Sequence, residues 1–284
     1  WPIVQAAQRS ETDLIEYMKA DYVGGNARFI SQSSDEDGYY FYNKDYSGFN
    51  FTRHVAPLDT VFHMMQCRNQ DSTSDRVSIQ SAPVNEYFKS LAQKNTLSLM
   101  SSDVEPRFWM GNDGLVNTHY DDSENVACVV SGTRKFTLFP PDQVGNLYIG
   151  PLENTPGGAP VSMVKLKHPN FSIYPKFETA LKHALTAELS AGDAIYIPTL
   201  WWHHVESMKG INVLVNYWQG GSIEGLDHPS GLDLVLMGLI SLAKLPNNQK
   251  QVRKCIFDHL VMSENSEFDY IPEQIKGVLG DNKI

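Results

Sequence analysis

The chain has 284 residues, of which 42% are hydrophobic and 20% are charged. This length fits one large domain or one domain with an appendage, and the apolar content excludes a largely disordered chain. Acidic residues outnumber basic ones by 33 to 23, which gives a net charge of −10. Such a charge disfavours nucleic acid and anionic membranes as partners, although it leaves room for a local basic groove.

The cysteines and the longest apolar stretch bear on the cellular location. Cys67, Cys128 and Cys255 have no CxxC spacing, so neither a disulfide framework nor a thiolate zinc site is predicted. The stretch 232–245 is interrupted by Asp233 and Lys244 and is too short to span a bilayer. No signal peptide is visible at the start. We therefore expect a cytoplasmic protein without membrane association.

The first part of the chain, 1–76, is predicted to contain both helices and strands. Ser10 caps an amphipathic helix that carries Leu14 and Ile15, and the stretch 57–66 has the apolar spacing of a second helix. Between them, 28–31 and 39–42 have the composition of short strands.

The second part, 77–222, is predicted to be a β domain. Short β-branched and aromatic runs are separated by turn residues, which is typical of a sandwich or a barrel. The segment 145–175 is rich in Gly, Pro and Asn, and we interpret it as a long surface loop of the kind that often forms a functional lid. The predicted strands are 77–80, 108–110, 126–130, 135–139, 194–197 and 211–218.

The third part, 223–284, has a helical period. Ser230 is predicted to cap a helix that runs to Leu245, a second helix covers 249–262, and a short one covers 272–279. The first of these helices has more apolar residues than one packing face needs, so we predict that it forms a homodimer interface. These residues are Leu232, Val235, Leu236, Leu239, Ile240 and Leu242.

Two separate histidine-containing segments suggest a metal site. In Asn117-Thr-His-Tyr-Asp121, His119 and Asp121 are two residues apart and project from the same face if the segment is a strand. An HxD triplet alone is more often a hydrogen-bonded surface feature than a ligand pair. A distant His, from His203-His204 after the strand that ends at Pro198, would complete two imidazoles and one carboxylate. Strand periodicity does not decide which of the two histidines it is.

A third segment, Gly132-Thr-Arg-Lys-Phe136, predicts a buried cation. Arg134 shares its strand face with the apolar Phe136, whereas Lys135 belongs to the other face. A guanidinium turned toward an apolar interior needs an anionic partner. That partner is either a ligand or a carboxylate in a structural ion pair, and strand parity leaves both open.

Together these segments resemble the Jumonji-C hydroxylases, and most of all the asparaginyl hydroxylase of the hypoxia-inducible factor. The resemblance covers about 108–220 and is strongest at His119-Tyr-Asp121, Leu138-Phe-Pro-Pro-Asp-Gln143, Trp201-Trp-His-His204 and Val215-Asn-Tyr-Trp218. It implies a mainly β fold: a double-stranded β-helix, or jelly-roll cupin barrel, with flanking N-terminal α/β elements and a C-terminal helical segment.

The resemblance also implies an activity and a set of site residues. It makes His119, Asp121 and His203 the ligands of Fe(II), in an enzyme that uses 2-oxoglutarate and O2 to hydroxylate a protein side chain or a small molecule and releases succinate and CO2. It places Asn125 and Asn216 beside the cosubstrate, and Trp218 as an apolar wall of the metal site.

The cosubstrate residues depart from the family pattern. Where the family commonly has Lys, this chain has Arg134, which can bind the distal carboxylate of 2-oxoglutarate bidentately, and Lys135 is the alternative. Ser78 stands where the family hydroxylase has a carboxylate-binding Tyr. Thr118 aligns only with a gap to the family Thr that precedes the first ligand.

Two other functions are compatible with the same residues. A cupin metalloenzyme that needs no 2-oxo acid would keep the three ligands but would not need an anion site at Arg134. A non-catalytic binding module would keep the metal for structure and use the helical segment for association.

Overall fold

A computed structural model describes residues 1–101, 103–220, 230–262 and 268–276 of the chain. The chain divides into two compact units, Trp1–Gly225 and Leu226–Ile284. In the first unit the helices are α1 (Pro2–Arg9), α2 (Glu11–Asp21), α3 (Leu58–Gln70), α4 (Val84–Tyr87), α5 (Leu91–Lys94) and α6 (Phe177–Lys182), with a 3-10 turn over Pro141–Gly145.

The strands of the first unit form two sheets. The strands are β1 (Asn26–Gln32), β2 (Tyr39–Tyr40), β3 (Thr52–Pro57), β4 (Arg76–Pro83), β5 (Arg107–Gly111), β6 (Gly114–His119), β7 (Glu124–Ser131), β8 (Thr133–Phe139), β9 (Leu185–Ser190), β10 (Ala194–Ile197), β11 (Trp202–Ser207) and β12 (Asn212–Gln219).

The larger sheet has the strand order β10-β7-β12-β5-β4-β1-β3, and the smaller one has the order β2-β6-β11-β8-β9. The short β2 runs parallel to β6, and the other paired strands are antiparallel.

An apolar core joins the inner faces of the two sheets. Val129 and Leu214 of the larger sheet pack in one cluster with Phe136, Leu138 and Val205 of the smaller sheet. Alternate residues of β8 and β11 therefore face inward, as the two-residue period of a strand requires. This arrangement confirms the predicted mainly β, jelly-roll cupin fold.

The N-terminal helices cover the outer face of the larger sheet. Leu14 of α2 and Phe62 of α3 belong to the same buried cluster as Val77, Phe108 and Val213 of that sheet. Burying this second face explains why its strands are apolar on both sides. Because β1 and β3 are strands of the same sheet, the N-terminal part is built into the barrel wall.

Several predicted elements are found with shifted ends. The Ser10 side chain accepts a hydrogen bond from the Asp13 amide at 3.0 Å and caps α2 as predicted. The predicted helix at 57–66 begins after Pro57 and continues to Gln70. The sequence did not predict α1, α4, α5, α6, β3 or β9. In the segment 145–175, the described structure has only turns and isolated bridges, as expected for a long loop.

The second unit is described for three helices, α7 (Gly231–Leu242), α8 (Asn247–Val261) and α9 (Glu273–Lys276). Ser230 and Asp233 form a reciprocal capping box at the start of α7, which confirms the predicted cap. The predicted boundary at 222–223 and residues 277–279 of the predicted last helix lie outside the described residues. The division of the chain at residue 76 stays a prediction. No helix in the described part of the chain is long and apolar enough to cross a membrane.

The homodimer prediction rests on the apolar surface of α7 and α8. No residue of either helix is buried, and Met237 and Ile240 are 62% and 78% exposed. We expect light scattering at micromolar concentration to give the mass of a dimer, and Leu239→Glu with Ile240→Glu to give the mass of a monomer, because two carboxylates would have to be desolvated at the interface. A monomeric mass for the unmodified chain would contradict the prediction.

Candidate metal centre and its cavity

Strand pairing brings the two histidine segments together. His119 ends β6 and lies directly opposite His203 of β11 in the smaller sheet. The register shifts between His203 and Val205, so that a local irregularity falls beside the first pair. Asp121 follows two residues after His119, just beyond the end of the strand. Two short segments that are far apart in sequence thus meet at one end of the barrel.

The three side chains place their donor atoms around one point. The His203 Nε2 lies 3.6 Å from Asp121 Oδ2, and the His119 Nε2 lies 4.0 Å from Asp121 Oδ1. The imidazole rings are 4.2 Å apart between centroids, and one ligand atom from each residue falls within 4.8 Å of the others. Two imidazoles and one carboxylate on one side of a site leave coordination positions for other ligands, as in non-haem Fe(II) oxygenases.

Hydrogen bonds orient both imidazoles. The Nδ1 of His119 lies 2.8 Å from the backbone oxygen of Asn117, and the Nδ1 of His203 lies 3.0 Å from that of Trp201. A backbone oxygen can only accept, so each Nδ1 carries the proton and each Nε2 keeps a free lone pair. Both Nε2 atoms face the Asp121 carboxylate, which is the tautomer and orientation that a metal ligand needs.

Burial keeps His203 neutral. Desolvation, followed by the proximity of His119, lowers the pKa of His203 to about 4, so the ring carries no charge near neutral pH. A neutral imidazole is the form that binds a metal. His204 is turned to the opposite side of β11, where its ring lies 5.7 Å from the Tyr39 ring. The structure therefore brings His203, and not His204, to the cluster.

The turn before β11 links the two ligand segments. Leu200 has a positive φ of 63°, which is an unusual conformation for a residue with a branched side chain. Its amide donates to the backbone oxygen of Asp121 at 3.0 Å. The strained turn thus ties the segment that carries Asp121 to the segment that carries His203. Such strain persists where surrounding contacts enforce it, which often occurs at functional sites.

A cavity of about 580 Å³ opens onto the cluster. His119 and Asp121 contribute to its wall, while His203 is 4% exposed behind them. Trp109 and Trp218 line it and pack edge to face, with their ring centroids 6.0 Å apart. The volume is in the range of small-molecule sites, and its aromatic walls reduce the access of water.

The predicted inward cation is present. Arg134 is 7% exposed, and its Nε has no hydrogen-bond partner. Among the described residues no carboxylate forms an ion pair with it, which removes the structural ion pair as its explanation. Burial lowers the pKa of Arg134 to about 10, so that the group stays charged near neutral pH. A buried charge without a partner is costly and points to an anionic ligand.

Tyr40 is a candidate that the sequence prediction missed, because the run 39–42 was predicted as a short strand and no site residue was assigned to it. Gly114 and Arg134 both lie opposite Ser207 of β11, one on each side. The Tyr40 ring packs over Gly114 so closely that a Cβ there would be 3.2 Å from the phenol oxygen. Burial raises the pKa of Tyr40, and its hydroxyl lies near the Ser78 side chain without a hydrogen bond of normal geometry. A neutral donor and a charged donor are therefore unsatisfied in the same part of the barrel.

Two of the other predicted residues, Asn125 and Asn216, form a hydrogen-bonded wall beside the site together with Trp109. The Asn216 amide donates to Asn125 Oδ1 at 3.2 Å, and the Trp109 indole donates to Asn216 Oδ1 at 2.8 Å. Trp218 lies opposite Asn125 in the strand register and leaves its indole N–H without a partner. Trp109 and Trp218 line the cavity, whereas the two asparagines are buried next to it in the sheet.

The remaining candidates divide between the cavity and its surroundings. Ser78 of β4 lines the cavity. Thr118 is fully buried and is not part of the cavity wall, where Val116 and Asn117 lie instead. Lys135 lies opposite Glu206 of β11 in the strand register. It belongs to the strand face opposite that of Arg134. Of the two alternative cations, only Arg134 is turned toward the barrel interior.

The donor set fits a divalent iron. Neutral imidazole suits iron and other transition metals, a carboxylate suits harder divalent ions, and no thiolate is present in the cluster. The buried donors at Tyr40 and Arg134 are chemically suited to an anionic group. The residues present thus fit both Fe(II) and a dicarboxylate.

Comparison with known proteins agrees with this geometry. Residues 1–222 match the family model described as a cupin-like domain, so the chain belongs to the cupin-like family, with relatives that carry Jumonji-C domains. A protein of Arabidopsis thaliana called lysine-specific demethylase JMJ31 is 41% identical over 112 residues, which cover 39% of this chain and 20% of that protein. Human HSPB1-associated protein 1 is 32% identical over 118 residues, covering 40% and 23%.

A third relative is aligned over more of its own length. JmjC domain-containing protein E of Dictyostelium discoideum is 34% identical over 147 residues, which cover 39% of this chain and 41% of that protein. The alignments with the Arabidopsis and human proteins span about a fifth to a quarter of the length of those proteins. The chain therefore matches only a part of each of these relatives.

Metal binding tests the cluster directly. We expect Asp121→Ala and His203→Ala to weaken Fe(II) binding by at least about 100-fold under anaerobic conditions, because each removes one of three ligands. Equilibrium dialysis with metal analysis measures this. His54→Gln is the matched control, since His54 lines the same cavity without belonging to the cluster. Equal affinity of the Asp121→Ala protein and the unmodified protein would contradict the assignment.

Proposed function

We propose that this chain is an Fe(II)- and 2-oxoglutarate-dependent oxygenase that hydroxylates a C–H bond of a protein side chain or of another substrate. The observation that carries the proposal is a two-histidine, one-carboxylate cluster in the same barrel as Arg134, which has no ion-pair partner among the described residues. The cluster accounts for a metal, and the cation accounts for a dicarboxylate cosubstrate. A barrel that kept a metal only for structure would need neither open coordination positions nor a buried cation without a carboxylate.

The protein residues have distinct parts in this reaction. His119, Asp121 and His203 hold the metal, and the two Nδ1 hydrogen bonds fix the ring orientations. When bound, Fe(II) and 2-oxoglutarate supply the oxidising chemistry, in which one oxygen atom of O2 enters succinate as CO2 leaves and the other enters the substrate C–H bond. The protein's contribution is to position the reactants and to exclude water.

Arg134 and Tyr40 are proposed to bind the distal carboxylate of 2-oxoglutarate. A guanidinium offers two parallel N–H donors to a carboxylate, and a neutral phenol adds a third donor. This pair would replace the Lys and Tyr of the related hydroxylases. The Tyr is supplied here by β2, while Ser78 occupies the position that corresponds in sequence. The carboxylate would also compensate the buried charge of Arg134.

The cavity favours hydroxylation over removal of a methyl group from lysine. One relative is named a lysine-specific demethylase, and such a substrate is a cation. Within the described part of the chain, the charged residues that line this cavity are Arg28, Arg53 and the ligand Asp121. Two exposed arginines at the entrance disfavour a methylated lysine and the basic peptide around it.

Substitution of Arg134 is expected to have opposite effects on the affinity for 2-oxoglutarate and on the stability of the ligand-free protein. Arg134→Met is expected to weaken 2-oxoglutarate binding at least about 30-fold, since losing one partner of a buried charge pair costs about 2–5 kcal/mol. The same substitution should raise the melting temperature of the ligand-free protein, because it removes a buried charge that has no partner. Tyr40→Phe is expected to weaken binding about tenfold.

Calorimetry with Mn(II) in place of iron measures the affinity without turnover. Lys135→Met is the control, since it removes the same charge from the opposite strand face. Weaker binding in the Lys135 variant than in the Arg134 variant would reverse the assignment.

Turnover tests the proposed reaction itself. Purified protein with Fe(II), ascorbate and fractionated lysate is expected to convert 2-oxoglutarate to succinate, and Asp121→Ala is expected to abolish the conversion because it removes a metal ligand. Equal succinate formation by the two proteins would refute the site. An intact metal site that consumes no 2-oxoglutarate with any fraction would favour a cupin metalloenzyme without a 2-oxo acid, or a binding module.

A further inference from the structure

The described charged side chains at the cavity entrance are positive, although the chain as a whole has a negative net charge. Arg28 of β1 and Arg53 of β3 line the cavity, and both are exposed. Among the described residues of the lining, the acidic one is Asp121, and it belongs to the metal cluster. The chain as a whole has a net charge of −10. A local cationic rim of this kind attracts a ligand that carries negative charge.

Arg28 and Arg53 lie on one face of the sheet and have N–H groups without a hydrogen-bond partner in the described structure. In the antiparallel register Arg28 is opposite Val55 and Arg53 is opposite Ile30, so the two arginines are diagonal neighbours on the same face. Among the described residues neither forms an ion pair. Arg53 donates one N–H to the backbone oxygen of Pro156 at 3.1 Å and packs over the rings of Phe49 and Phe51, and its other N–H groups have no partner in the described structure.

The strand that carries Arg53 is an edge strand. β3 is the last strand of the larger sheet, and within the described residues no other backbone segment pairs with its outer edge. Five of its six residues are exposed. Three of them, Arg53, His54 and Val55, line the cavity. A free strand edge offers a row of backbone donors and acceptors to an extended polypeptide.

We propose that β3 binds an acidic, extended polypeptide segment as an added strand, with acidic side chains on Arg28 and Arg53 and a neighbouring side chain directed into the cavity. In an added strand every second side chain lies on the arginine-bearing face, so an acidic residue and the residue that enters the cavity are separated by two positions. This inference rests on the proposed oxygenase function for its statement that the bound segment is the substrate; the binding itself does not depend on turnover.

The edge strand distinguishes a polypeptide from other anions. A nucleic acid would use the same arginines, but it has no strand of amide groups to pair with β3, and the net charge of the chain opposes a long polyanion. A basic peptide would pair with the edge but would be repelled by the two arginines.

Fluorescence anisotropy with the full chain, free of metal and 2-oxoglutarate, tests the proposal. The probes are a labelled alternating Glu-Thr dodecapeptide, the matching Lys-Thr peptide and a single-stranded oligothymidylate. We expect the Glu-Thr peptide to bind at least about tenfold more tightly than the Lys-Thr peptide and to weaken with added salt. Two N-methylated forms of the Glu-Thr peptide test the strand pairing, one methylated at the odd residues and one at the even residues. Only one of these two sets of amides faces the strand edge, so one form should lose binding and the other should bind nearly unchanged.

Arg28→Gln with Arg53→Gln is expected to weaken Glu-Thr binding by at least about tenfold. Lys89→Gln with Lys182→Gln is the matched control, since it removes two exposed positive charges that do not line the cavity. The proposal would be overturned by equal binding of the two peptides, by an unchanged affinity in the arginine variant, or by unchanged binding of both N-methylated forms of the Glu-Thr peptide. Tighter binding of the oligothymidylate would indicate a nucleic-acid surface instead. Because no iron is present, none of these outcomes depends on whether the protein consumes 2-oxoglutarate.

Discussion

The pairing of β6 with β11 is the constraint on which the site depends. It sets His119 opposite His203 and leaves Asp121 just past the end of β6. The ligand atoms of these three residues therefore meet through strand pairing, and none of them is carried by a long loop. The larger sheet packs against the smaller sheet that contains this pair, with an apolar core between the two sheets and helices behind the larger one. A site built on paired strands is held more rigidly than one built on loops.

The second feature that organises the barrel is a charge that the folded chain leaves uncompensated. Arg134 projects into an apolar interior and has no carboxylate among the described residues. The protein thus accepts a stability cost that a dicarboxylate ligand would relieve, which couples cosubstrate binding to the stability of the fold. Elsewhere the buried Arg68 and the partly buried Arg76 share the Asp113 carboxylate, at 3.2 and 3.1 Å.

Sequence patterns predicted those parts of the site that depend on strand parity. The spacing of His119 and Asp121 and the inward orientation of Arg134 follow from the two-residue period, and both are found. Parity could not choose between His203 and His204, because that choice depends on which face of β11 lies on the same side of the sheet as His119. Tyr40 was missed for a related reason: its place beside Arg134 is set by a two-residue parallel pairing with β6 that leaves no local signal.

The central claim is that the barrel binds one metal and one dicarboxylate together. The metal would lie at one end of the dicarboxylate, and Arg134 and Tyr40 would bind the other end. The most direct measurement is a crystal structure of the full chain grown anaerobically with Mn(II) and 2-oxoglutarate. The account predicts metal density bound by His119, Asp121 and His203, with the distal carboxylate hydrogen-bonded to Arg134 and Tyr40. A metal held by other residues, or a 2-oxoglutarate whose distal carboxylate lies on Arg28 and Arg53 at the entrance, would contradict it.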